Sequence, residues 1–206
     1  MPTIRLLRHA LSGHCHRVEL FLSLLGVPYE CSDIDLLRGE QRSPQFRAKN
    51  PFGQVPVLEH DGEVIADSNA ILVYLALRYD PEHRYLPREP GAAARVQRWL
   101  SVAAGELVNG PGACRLAVVF GAPIDRERAE KISTRLLSLL NSSLADQPFL
   151  AADRPTLADI ALYTYTAHAP EGGVSLEPYP HVRSWLARIE ALPGFVGMQR
   201  TPPAVS

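Results

Sequence analysis

The stretch NPFGQVPVL, residues 50–58, ends in an apolar run that reads as a strand, yet Pro56 stands at the strand entry. A proline there removes a ladder donor and restricts the residue before it. X-Pro is also the one peptide bond where the cis form is cheap, at about 0.5–1 kcal/mol. A cis Val55–Pro56 bond would turn the chain sharply. It would leave the Val55 backbone N–H and C=O outside the sheet, where an extended peptide could pair with both. The alternative is an ordinary trans proline at a strand start, and the neighbouring sequence has to decide between them.

Downstream, PVLEH (56–60), DG (61–62) and EVIA (63–66) read as a hairpin with a tight turn. DSNAILVYLALRY (67–79) predicts a helix capped by Asp67 or Ser68 that buries Ile71, Leu72 and Leu75. Upstream, TIRLLR (3–8) and YECSDID (29–35) read as strands flanking a helix, HRVELFLSLLG (16–26). That helix places Val18, Phe21, Leu22 and Leu25 on one face and stops at Gly26. The polar segment 38–50 holds at most a short helix. The predicted order is βαβαββα. Residues 81–90, rich in proline and charge, read as a linker after a first domain of residues 1–80.

From 91 to 206 no strand pattern persists. Helices are predicted over 92–108, 125–144, 155–169 and 180–194, with a break or bend in the Gly- and Pro-bounded segment 109–123. Thr156 and Asp159 have capping-box spacing. The fold class is therefore an α/β domain followed by an all-helical one.

The chain has 206 residues, 46% hydrophobic and 21% charged, with a formal net charge of −1. It carries no basic footprint for nucleic acid or an anionic membrane. Its longest apolar stretch, residues 20–27, is too short to span a bilayer, and no small-x-small cleavage site follows it. Cys15, Cys31 and Cys114 are widely spaced and offer no disulfide framework. A reduced, cytoplasmic protein is expected. His9, His14, Cys15 and His16 match no defensible zinc spacing, so no metal is expected.

Taken as one block, NPFGQVPVLEHDGEVIADSNAILVYLA (50–76) resembles the N-terminal domain of the glutathione S-transferases. GEQRSPQF (39–46) looks like that family's glycine-carboxylate segment, and TLAD (156–159) is similar to the capping box of its helical domain. The likeness covers nearly the whole chain and points to a bacterial-type member with a serine-class-like N-terminal domain. It implies a thioredoxin-like first domain, a helical second domain that forms the electrophile pocket with it, glutathione as co-substrate, and a homodimer. It also implies that the proline of VP is cis.

Glutathione presents two carboxylates, an amine and a thiol. The resemblance implies one partner for each. Ser68, in the first turn of a helix, would take the γ-glutamyl carboxylate and Asp67 the γ-glutamyl amine; a helix N-terminus suits an anion. Val55, ahead of Pro56, would pair through its main chain and Gln54 through its side chain. Gln41 stands where related classes carry a histidine for the glycine carboxylate, with Lys49 as a charged alternative. Ser12 aligns with the serine that stabilises the thiolate in serine-type members; its other reading is a helix cap. Cys15 is the competing nucleophile, by analogy with cysteine-type members that handle disulfides, and His14 could touch the ligand. Leu107, Tyr163, Tyr165 and His168 are candidates for the acceptor pocket, and each is as readily a core residue. The implied reaction is thiolate attack on a small apolar electrophile. Glutathione-dependent peroxidase, isomerase, dehalogenase or disulfide reductase chemistry is the alternative on the same fold, and a non-catalytic adaptor is the alternative from another class.

Overall fold

The structure, a computed structural model, describes residues 4–202. Thr3, in the first expected strand, and the end of the expected second domain lie outside the described residues. The chain divides into two compact units. The first runs to Pro81 and includes Pro193–Gln199; the second takes Glu82–Leu192 and the chain from Arg200.

The first unit is a four-stranded mixed sheet. Strands β1 (Ile4–Arg8), β2 (Tyr29–Asp33), β3 (Val57–His60) and β4 (Glu63–Ala66) stand in the order β2-β1-β3-β4. β1 is parallel to β2 and antiparallel to β3, and β3 is antiparallel to β4. The β3–β4 hairpin turns at Asp61 and Gly62, with φ 51° and 83°. Two positive φ values match the twist that a two-residue hairpin requires. Helix α1 (Gly13–Leu24) follows β1, α2 (Pro44–Arg47) follows a 3-10 turn at Glu40–Arg42, and α3 (Ser68–Tyr79) follows β4. Helix α1 buries Val18, Leu20, Phe21 and Leu22, and α3 buries Ile71, Leu72 and Leu75. The thioredoxin-like order read from the sequence is present.

Register decides which loops meet. Leu7 pairs with Val57, and Val57 with Ala66. The segments after β1, before β3 and after β4 therefore emerge at one end of the sheet. The segment after β2 joins them, since Arg8 pairs with Asp33. Leu7, Ile34, Phe46 and Val57 form a buried cluster at that end, with Leu36, Val55 and Ala66 packed against it. Burying each such side chain stabilises by about 1.5–3 kcal/mol, so the loops are anchored from beneath.

The second unit is helical: α4 (Pro90–Ala104), a π-helical turn (Val108–Gly112), α5 (Ala113–Phe120), α6 (Arg126–Ser143), α7 (Leu157–Ala167), a 3-10 turn (Ala169–Gly172) and α8 (Pro180–Glu190). The expected break near 109–123 is the π turn, after which α5 runs from Ala113 to Phe120 and stops at Gly121. Asp159 is fully buried beneath the start of α7. It accepts from Thr156 N, Thr156 Oγ1, Leu150 N and the Trp185 indole at 2.9–3.0 Å. The capping box therefore also ties α7 to α8. A second buried carboxylate, Glu171, accepts from Arg115 Nε at 2.7 Å and from Thr201 N and Oγ1 at 3.1 and 2.6 Å. The His168 ring stands 2.6 Å from its other face.

The sequence suggested that everything beyond residue 90 belongs to the helical part. Residues 193–199 instead belong to the first unit. His16 Nε2 donates to the Val196 carbonyl at 2.9 Å, and Ser23 Oγ to Gly194 O at 2.6 Å. No helix among the described residues is long and apolar enough to cross a membrane.

Candidate active site

Four segments at one end of the sheet carry most of the residues singled out from the sequence. The turn before β3 is built by Asn50, a buried side chain. Asn50 Nδ2 donates to Gln54 O at 2.7 Å, and Asn50 Oδ1 accepts from Phe52 N at 3.1 Å. Gly53 sits at φ 61°, and a Cβ there would stand 2.9 Å from Gln41 O. Only glycine allows this turn to lie against the Gln41 segment. The Val55–Pro56 peptide is cis. Sheet pairing of β3 begins at Val57, so Val55 precedes the ladder while its side chain packs into the cluster beneath. Gln54 is exposed.

Helix α1 begins at the same end. Ser12 is its N-cap, and Oγ accepts from Cys15 N at 3.4 Å. In that role the hydroxyl is an acceptor and keeps its proton, which the buried Cys15 sulfur also faces. Both sequence readings of Ser12, cap and thiol partner, are compatible in one side chain. Cys15 is different. It is fully buried, the His9 amide donates to its sulfur at 3.4 Å, and burial pushes its thiol up to about 12. A thiol so placed is protonated at neutral pH and a poor nucleophile.

Helix α3 supplies the third segment. Asp67 caps it, accepting from Asn69 N at 2.8 Å and Ala70 N at 3.0 Å, both on Oδ1. Its backbone sits at φ 74° and ψ 126°. A non-glycine residue in such a conformation costs on the order of 1–3 kcal/mol, and outliers of this kind cluster at functional sites. Ser68 follows, 3% exposed. Its Oγ stands 3.2 Å from His14 Nδ1 and accepts from Arg17 Nη1 at 3.2 Å. The same guanidinium nitrogen donates to Asn69 Oδ1 at 2.8 Å. Burial, reinforced by the Arg17 charge, lowers the His14 pKa to about 3, so the ring is neutral.

Thus Ser12, His14, Cys15, Asp67 and Ser68 converge where α1 and α3 begin, and Gln41 lies against the Gly53 turn. The Gln41 side chain turns inward: Nε2 donates to Leu36 O at 3.4 Å, and Oε1 is buried with no hydrogen-bond partner among the described residues. Lys49 is spent on an ion pair with Glu59. Leu107, Tyr163, Tyr165 and His168 are all core positions of the helical unit, between 0% and 4% exposed. Tyr163 donates to Glu190 at 2.9 Å, and His168 faces Glu171.

Sequence reasoning passed over Arg17 and Asn50. Arg17 shares a helix face with His14, Val18 and Phe21, at i, i+3, i+4 and i+7. A cation on an apolar face was the available signal. Asn50 gave none beyond a turn-favouring residue type.

A family model described as the glutathione S-transferase N-terminal domain matches residues 11–78, and one described as the glutathione S-transferase C-terminal domain matches residues 117–193. Glutathione S-transferase 3 of Zea mays is 32% identical, across 100% of this chain and 96% of that protein. The crystal structure of a glutathione S-transferase from Pseudomonas fluorescens superimposes with a TM-score of 0.88 at 33% identity, over 95% of this chain and 98% of that one. A glutathione transferase homologue from Drosophila mojavensis, crystallised with bound glutathione, gives 0.84 at 26% identity, over 94% and 90% of the two chains.

Proposed function

The chain belongs to the glutathione S-transferase family of enzymes, and we propose that it activates the glutathione thiol for attack on small apolar electrophiles. The observation that carries this reading is the convergence of Ser12 and Ser68 at the starts of α1 and α3, beside a proline turn whose Val55 backbone precedes the sheet ladder. Ser12 donates its hydroxyl proton to the ligand sulfur, favouring thiolate. The positive end of α1 acts in the same direction. The Val55 main chain pairs with the cysteine residue of the tripeptide, assisted by the Gln54 side chain. Ser68 and the first turn of α3 take the γ-glutamyl carboxylate. Asp67, with both capping bonds on Oδ1, takes the γ-glutamyl ammonium through Oδ2. Gln41 takes the glycine carboxylate only if its amide leaves Leu36. The long 3.4 Å bond makes that inexpensive.

The raised thiol pKa of Cys15 favours conjugation over disulfide reduction as the chemistry of this site. The Lys49–Glu59 pair favours a surface role for that lysine. The division into a glutathione-binding domain, a linker over 81–90 and an electrophile-binding helical domain, the homodimer and a cytoplasmic setting belong to the same proposal. The deciding experiment is retention on immobilised glutathione together with turnover of a generic aryl or alkyl electrophile. Retention with no turnover of any electrophile would favour an adaptor and sink the transferase reading. A light-scattering mass near 22.7 kDa at micromolar concentration would remove the homodimer.

A further inference from the structure

The side chain that organises the α1–α3 junction is Arg17, which the reading above leaves unused. It is fully buried, and its Nη1 reaches two residues in the first turn of α3: Ser68 Oγ at 3.2 Å and Asn69 Oδ1 at 2.8 Å. A buried guanidinium is expensive to keep, because it cannot shed its charge. Where it points therefore carries information.

We propose that Arg17 is a positioning residue for ligand binding: by donating to Ser68 Oγ it fixes the Ser68 hydroxyl as a proton donor and holds a positive charge directly behind it, which makes the start of α3 selective for a carboxylate.

The hydroxyl has one proton and two acceptor sites. Arg17 fills one acceptor site. His14 Nδ1 stands 3.2 Å from the same oxygen. If His14 Nδ1 carries a proton, it fills the second acceptor site and the Ser68 proton points away from both. If it does not, Ser68 donates to His14 until a stronger acceptor arrives. With Nδ1 protonated, Ser68 has a proton to give and no acceptor site left; with Nδ1 bare, it keeps one acceptor site and turns its proton from His14 to the stronger, charged acceptor. An arriving carboxylate, which can only accept, matches this polarity. An amine or amide N–H finds no acceptor site on Ser68 in the first tautomer, and in both an ammonium meets the Arg17 charge behind that hydroxyl. Because Arg17 is hidden beneath Ser68, it acts through that hydroxyl and through its field, not by touching the ligand. The Asn69 bond holds the guanidinium in place against the helix start.

The proposal rests on glutathione being the ligand, and names which of its groups depends on Arg17. Two thiols separate the possibilities: glutathione, and 4-aminobutanoyl-Cys-Gly, which lacks the α-carboxylate of the γ-glutamyl residue. Steady-state kinetics with each are measured for wild type, Arg17→Gln and Arg17→Lys, alongside thermal melting. In Arg17→Gln, KM for glutathione rises about tenfold or more, while kcat at saturating thiol stays near wild type. KM for the decarboxy thiol barely changes, so the wild-type preference for glutathione collapses. Arg17→Lys, which keeps the charge, recovers part of that preference. Equal weakening of both thiols with a lowered melting temperature in both variants means Arg17 only packs the junction, and overturns the proposal. Should the variants fail to fold, nitrogen-15 spectra of wild type give the answer. The Arg17 guanidinium signal shifts on titration with glutathione and stays still with the decarboxy thiol. Equal shifts with both, or none with either, overturn it. Wild type that binds neither thiol refutes the glutathione reading itself, a result distinct from any of these, and this proposal falls with it.

Discussion

Replacing Ser12 by alanine separates its two roles, because the structure sets different magnitudes for them. As an N-cap, Ser12 Oγ lies 3.4 Å from Cys15 N, beyond the usual range for an N–H···O bond. Its capping contribution belongs at the low end of the about 0.5–2 kcal/mol seen for such residues, so the variant folds. As a thiolate donor it makes a hydrogen bond to a charged group, worth about 1.5–3 kcal/mol. At about 1.36 kcal/mol per pKa unit, removing it raises the bound thiol pKa by about one to two units. A free thiol titrates near about 8.5. The wild-type kcat/KM profile should therefore titrate about one to two units below that, and Ser12→Ala should return toward it. Near pH 6.5 the variant then loses about tenfold to fiftyfold in kcat/KM, and the two profiles converge above about pH 9. The assay is the pH dependence of kcat/KM with one generic electrophile, with Cys15→Ala as the companion. The buried Cys15 thiol, raised to about 12, is protonated throughout that range, so Cys15→Ala should keep the wild-type profile. A Ser12→Ala profile that overlays wild type, with activity lost in Cys15→Ala, would refute the serine assignment.

Ser68→Ala should fold and bind glutathione at least about tenfold more weakly by calorimetry; unchanged affinity would reduce Ser68 to a packing residue. Asn50→Ala removes the 2.7 and 3.1 Å bonds that hold the Gln54 turn. It should destabilise by about 1–3 kcal/mol and raise KM for glutathione more than it lowers kcat, and wild-type melting with wild-type KM would contradict that. Burial alone would raise the Glu171 pKa, but Thr201, His168 and Arg115 together hold it at about 2, below its ordinary 4.5. A depressed carboxyl contributes stability that is complete above the ordinary value and is lost as pH falls towards about 2. Glu171→Gln should lower the melting temperature at pH 7 and flatten its fall between pH 4.5 and 2; an acid limb as steep as wild type would exclude the residue.

Features written in short-range chemistry were legible in the sequence. The Asp61–Gly62 hairpin, the caps at Ser12 and Asp67, the Thr156–Asp159 box and the apolar faces of α1 and α3 each depend on residues within a few positions of one another. What was missed depends on partners far along the chain. Arg17 finds Ser68 across 51 positions, and His16 finds Val196 across 180. Nothing local marks such pairs. Tyr163 and His168 have the residue types of a binding wall, but the polar ends of both are engaged by Glu190 and Glu171. Aromatic residues with polar tips are equally suited to a satisfied core. Segment 193–199, PGFVGMQ, follows the Pro-Gly stop of α8 with no periodic pattern of its own, and the carbonyls of Gly194 and Val196, offered to α1, help give it a place in the first unit.

The electrostatics of the α1–α3 junction favour the carboxylate that the proposal places there. Helices α1 and α3 both start at this end of the sheet, and neither has an acidic residue in its first turn. Each N-terminus carries about half a positive charge. Arg17 adds a full one, buried beside the second helix start. Asp67, at the start of α3, is engaged in capping. Unlike-charge partners lower the cost of burying a cation, and without them the cost is several kcal/mol. The free protein limits that cost by keeping His14 neutral, so that no second cation enters the same region. A bound carboxylate would place negative charge where three positive sources converge. The binding energy of such a ligand would then include relief of the protein's own unfavourable field. For that reason the carboxylate should contribute more to affinity here than a surface ion pair, whose worth is typically about 0–1 kcal/mol, and added salt should weaken it less.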